Sequence, residues 1–151
     1  MADEAYRAVF LRVHPTGKMV LSLTTESDGN EGEYAQLVAR ELGVPPLDVK
    51  VVPADINRFG EGHGFNTSPS DATQAAIASA TGKIRDKAQL LAGVALETAP
   101  ESLEWQNGAF VADGDSGRSQ TIAEIALYAH GSGELPPGVE GGLDAQTVYR
   151  D

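Results

Sequence analysis

The sequence predicts an α+β domain: a mixed sheet with hairpins, helices packed on one face, and one long central helix. Three observations lead there. Segments whose apolar residues recur every second position alternate with segments of helical period. Two turn signals, "HPTGK" at 14–18 and Asn107-Gly108, each sit between short apolar runs. An alanine-rich stretch follows a cluster of hydroxyl residues that can cap a helix. With 151 residues, 41% of them hydrophobic and 22% charged, the chain suits a single globular domain, 1–151, that can bury a core.

In order, Tyr6 to Val13 places Val9, Leu11 and Val13 on one face, the pattern of a half-buried strand. Pro15 and Gly17 turn the chain, and "MVLSLTT" returns it, so 6–25 reads as a hairpin. After the break "ESDGNEG", Tyr34, Leu37, Val38 and Leu42 fall on one side of a helix that Gly43 ends. A proline turn leads to a short strand, Val49 to Val52. The long helix is expected to use Ser68 as N-cap, Pro69 as first helical residue and Asp71 to complete the box, and to run to about Leu96. Its face of Ala72, Ala76, Ala80, Ile84, Ala88 and Leu91 is mostly small and permits close packing, and Gly82 weakens it without stopping it. Trp105 and Phe110 flank the Asn-Gly turn of a second hairpin, and "DGDSGRS" reads as a polar loop. "TIAE" is a capping box that opens a helix from Ile122 to about His130, and "LDAQTVY" is the last strand.

The formal net charge of −11 disfavours a nucleic-acid partner, because such a surface repels phosphate backbones. No apolar run reaches bilayer length, so no membrane role is expected. There is no cysteine, hence no disulfide, thiolate nucleophile or iron–sulfur ligand. The acidic start "MADEAYRAVF" lacks a basic leader, and a cytoplasmic location is expected. No spacing of histidines suggests a zinc site, and no metal-binding residues are assigned.

The segment "RFGEGHGFNTSPSD" raises the functional question. A Gly-rich loop feeding a helix N-terminus aims free amides and the positive end of the helix dipole at one spot, which suits an anion. The same glycines can instead supply turn geometry alone, with the serine only a cap. His63, flanked by Gly62 and Gly64, suits acid–base work if Glu31 or Glu33 of the preceding acidic loop reaches it; otherwise it is an exposed loop histidine.

Four separated segments, "VHPTGKMVLSLTT", "AQLVARELGVPPLDVKVV", "ATGKIRDKAQLLA" and "APESLEWQNGAFV", resemble in wording and order a stretch of the large subunit of molybdenum hydroxylases. That is the xanthine dehydrogenase, aldehyde oxidase and carbon monoxide dehydrogenase group. The resemblance covers nearly all of this chain but a minor part of that subunit. It implies a molybdopterin cofactor shared with partner chains, an oxidoreductase complex or homo-oligomer, and a small-molecule substrate. The family's Gly-Gln-Gly turn falls on "DGNEGEYAQ", which puts Asn30 where a glutamine is expected. Its serine-rich cofactor loop falls on Gly62, Gly64, Asn66, Thr67, Ser68 and Ser70. The family's glutamate base has no counterpart in these residues. Two alternatives stay open. One is a molybdenum-free lyase, isomerase or hydrolase using His63 with Glu31 and Glu33 as catalytic residues; the other is a non-catalytic assembly subunit. Both loops precede helices that should pack on one sheet face, so they are expected on one rim.

Overall fold

A computed structural model describes residues 7–60, 67–112, 115–131 and 135–150, and for 115–117 the backbone only. Strand β1 (Arg7–Val13) pairs antiparallel with β2 (Met19–Leu23), which closes the first hairpin. Helix α1 (Glu31–Leu42) carries the chain to β3 (Val49–Val52), which lies parallel to β2. A four-residue helix, α2 (Ile56–Phe59), precedes the long α3 (Asp71–Ala95). The Asn107-Gly108 turn joins β4 (Leu103–Gln106) to β5 (Ala109–Ala112), and β6 (Asp115–Thr121) follows. Helix α4 (Ile122–His130) and β7 (Leu143–Tyr149) complete the fold.

There are two sheets. The mixed one has the order β3-β2-β1-β7, and the antiparallel one β4-β5-β6. The inner face of the first presents Val9, Leu11, Val13, Leu21, Leu23 and Leu143, all fully buried. Helix α3 lies across that face against β1 and β7 and also packs on α1 and α4. Its buried Ile77, Ile84 and Leu91 fill the core, while Ala76, Ala80, Ala88 and Ala92 let the backbone come close. The observed helix spans the alanine-rich stretch as expected, and no residue from 74 to 90 is strand.

Two boundaries differ from the sequence expectation. The N-cap of α3 is Ser70, not Ser68, and Asp71 opens the helix instead of completing a box. The reciprocal cap forms between Ser70 and Thr73, whose hydroxyl accepts from the Ser70 amide at 3.1 Å. Thr73 is in turn held by Tyr149, oxygen to oxygen 2.8 Å, so a residue seventy-six positions away selects the cap. The polar "DGDSGRS" segment lies partly in strand β6, paired with β5 through Val111↔Ser119 and Phe110↔Gln120 with a bulge at Val111/Ala112. It is an edge strand: Arg118 stays exposed and donates to the Leu96 carbonyl and the Thr98 hydroxyl. Such a strand lacks the apolar alternation by which strands are recognised.

Gly82 sits inside α3 with no atom within 4 Å of the place a Cβ would occupy. Gly82→Ala should therefore stabilise the domain by about 0.5–1 kcal/mol, because the helix interior disfavours glycine. Thermal unfolding checks this; an unchanged or lower midpoint contradicts it.

Candidate functional site

The segments that lead into α1 and α3 are joined at the end of the sheet where β1 begins and β7 ends. After β2 the chain leaves through a buried run of hydroxyls. The Thr24 hydroxyl accepts from the Ala8 amide at 3.0 Å, and the Thr25 carbonyl accepts from the Ala54 amide at 2.9 Å. Next, the Glu26 amide donates to the Thr67 carbonyl at 3.0 Å. That bond joins the segment leading into α1 to the segment leading into α3. The Thr67 hydroxyl accepts from Arg7 Nη1 at 3.0 Å, so the first residue of β1 fixes the loop from the sheet side. Arg7 and Tyr149 are cross-strand partners, and Tyr149 reaches Thr73 in the first turn of α3.

The Glu26–Thr67 bond joins the segments that lead into the two loops, while most of the Gly60–Ser70 loop lies outside the described residues. Gly62, His63, Gly64 and Asn66 lie outside the described residues. Thr67 is half-buried and engaged through both its carbonyl and its hydroxyl, Ser68 is exposed, and Ser70 caps α3. Asn30 is the N-cap of α1 by position, yet its side chain makes no cap bond and hydrogen-bonds Tyr34 instead. Burial raises the Tyr34 hydroxyl above the usual tyrosine range, and the nearby Tyr149, Glu33 and Asp28 add to the rise, while the bond to Asn30 opposes it. Tyr34 is therefore a neutral hydroxyl at this rim.

Glu31 and Glu33 stand in the first turn of α1, where carboxylates complement the helix dipole. The Ser27 hydroxyl donates to Glu31, and this bond, followed by the Glu31 backbone amide, holds the carboxyl below its usual range although it is exposed. Glu33 points to a groove of about 250 Å³ between α1 and α3, shared with Tyr34, Arg40 and Gln74. Glu31 and Glu33 thus face different neighbours.

Three residues of the rim escaped the sequence reading. Arg7 brings a positive charge to an otherwise acidic edge, Tyr149 anchors the cap of α3, and Thr25 contributes a hydroxyl 1% exposed that has no hydrogen-bond partner among the described residues. A buried hydroxyl without a partner costs about 1–3 kcal/mol and calls for an explanation. Arg7 and Tyr149 become visible only once β1 is paired with β7, a non-local register with no short-range signal. Among the described residues no group of three His, Cys, Asp or Glu side chains could hold a metal ion, and no helix is long and apolar enough to cross a membrane.

The profile of the molybdopterin cofactor-binding domain family matches residues 2–151. The carbon monoxide dehydrogenase large chain of Hydrogenophaga pseudoflava is 34% identical over 142 residues, covering 92% of this chain and 17% of that one. The same protein of Afipia carboxidovorans is 36% identical over 142 residues, with the same coverage. A crystal structure of the Cu,Mo-CO dehydrogenase in its carbon monoxide reduced state superposes with a TM-score of 0.80 at 32% identity, over 96% of this chain and 18% of that one. The chain thus spans less than a fifth of the length of the curated relatives it matches.

Proposed function

The chain belongs to the molybdopterin cofactor-binding domain family, and from that premise we propose that its rim of loops holds the anionic end of a molybdopterin cofactor. It resembles part of the molybdopterin-binding large subunit of molybdenum hydroxylases, and the rest of the cofactor's surroundings would come from other parts of such an assembly. The observation that carries the reading is the Glu26–Thr67 bond, which joins the segments leading into α1 and α3. The residues fit the group. The first amides of α3 supply donors at the positive end of the helix dipole. Ser68 and Ser70 supply hydroxyls, Asn30 supplies an amide, and Gly62, Gly64 and Asn66 adjoin them in sequence. Thr25 offers an orphaned hydroxyl beside the joint, and Arg7 holds Thr67 in place. When bound, the pterin presents the metal that carries out redox chemistry on a small-molecule substrate. In this reading the described residues bind and orient the group. Glu26, Asp28, Glu31 and Glu33 oppose a multiply charged group, so the amides of α3, not the α1 side, should take the phosphate.

The acid–base reading depends on His63, and Glu31 adds little to it, since a carboxyl held below its usual range is a weaker base. A cytoplasmic setting and partner chains belong to the same proposal and rest on the cysteine-free composition and on the relatives' subunit organisation. The test is to express the chain in a host that makes the cofactor, together with the remaining large-subunit segments, and to assay pterin fluorescence and molybdenum in the isolated complex. Retention of both, lowered by Ser70→Gly and by Thr67→Val with the complex still assembled, is expected. A complex that assembles without pterin overturns the proposal.

A further inference from the structure

The far end of β1 carries a cluster that the cofactor rim does not use. Arg12, five residues along the strand from Arg7, is roughly 17 Å away at the usual strand rise. It lies on the outer face of the mixed sheet, in a row with Val20 of β2 and Asp144 of β7. Two open clefts share it as a wall. One, of about 620 Å³, runs past His14, His130 and Asp144; the other, of about 290 Å³, runs past Asp55 and Arg58. The larger falls within the size range of small-molecule sites.

The protein leaves this guanidinium short of partners. Among the described residues the Arg12 side chain donates no hydrogen bond; its nearest anion is Asp144, at 3.6 Å from Nη2, and its Nε is sealed from water without an acceptor. The group rests over the Phe10 ring, 5.4 Å from the centre, and Arg58 lies on the same ring at 4.0 Å. Two guanidiniums thus share one aromatic platform on a chain whose net charge is −11. Of the two nearby carboxylates, Asp55 is committed to the Ser22 hydroxyl at 2.7 Å and the Arg58 amide at 3.1 Å. His130 lines the larger cleft, and its Nε2 donates to the Val13 carbonyl at 3.2 Å.

The geometry points to a binding site for a carboxylate with an apolar body, received by the Arg12 guanidinium. Planar, forked guanidinium matches planar, forked carboxylate. Charge selects a monoanion: two arginines stand against two aspartates, so a dianion finds no surplus to neutralise it. Leu135, Ala129 and Pro15 give the larger cleft its apolar wall. The carboxylate can come from a free small acid or from a side chain or terminus of another polypeptide.

Benzoate is the probe, titrated into the full chain at constant ionic strength, with inorganic phosphate and chloride as comparators and the arginine Nε–H and histidine ring resonances as the readout. Saturable shifts at Arg12 and His130 are expected, with affinity weakened by roughly tenfold or more in Arg12→Gln. In Arg58→Gln, more exposed and away from the larger cleft, a smaller loss is expected. Folding of each variant is verified by its amide spectrum, and Arg12→Lys keeps the charge but loses the fork, so it too should weaken binding. Sedimentation then separates the sources: benzoate binding to a chain that stays one size assigns a free acid, whereas benzoate that dissociates a self-associated form assigns a polypeptide carboxylate. No saturable shift, an equal shift in Arg12→Gln, or phosphate binding as well as benzoate overturns the site.

Discussion

Replacing Gly43 with alanine is expected to destabilise the domain by roughly 3 kcal/mol. Two penalties combine. Gly43 ends α1 with φ +69, a left-handed conformation that a Cβ disfavours. Its Cβ would also stand 2.2 Å from the Gly108 Cα and 2.7 Å from the Gly108 nitrogen, backbone atoms that cannot rotate away. Gly108 is itself at φ +83 in the β4–β5 turn, so the end of α1 and that turn meet glycine to glycine. Gly29→Ala is the control: φ is +85, but nothing lies within 4 Å, so only the conformational penalty of about 1 kcal/mol applies. Denaturant unfolding of both variants decides. Equal losses would show that the contact between the two glycines contributes nothing.

Ile84→Ala should cost about 2–5 kcal/mol, the range for removing a buried branched side chain without collapse of the cavity. Ile84 is fully buried at the middle of α3, between the sheet and the neighbouring helices. The alanines around it cannot extend to fill the space. Leu90, 42% exposed on the same helix, serves as the reference, and Leu90→Ala should lie within about 0.5 kcal/mol of the parent. Helix α3 both crosses the core and carries the Ser70–Thr73 cap, so on the proposed reading the loss would also lower cofactor retention. A loss at Ile84 no larger than at Leu90 would mean that α3 is not the centre of the core.

Much of this protein was legible from neighbouring residues alone. The alternation of Val9, Leu11 and Val13 determined a strand, the spacing of Tyr34, Val38 and Leu42 determined a helix, and Gly43 determined its end. The Asn107-Gly108 turn and the Thr121–Glu124 capping box stand where the sequence puts them, because their bonds close within two to three residues. Several separated segments, read in order, also led to the family that the comparisons establish. The tertiary structure decided what depends on distant partners. Ser70 is the cap instead of Ser68 because Tyr149 holds Thr73; the 115–121 segment becomes a strand because β5 offers it an edge; Arg7 joins the rim because β1 pairs with β7. The hydroxyl loop was visible as a candidate, but the bond from Glu26 to Thr67 that gives it a facing wall was not. Local hydrogen bonds and side-chain periodicity are written in consecutive residues, whereas strand register and loop contacts are fixed only when the whole core closes.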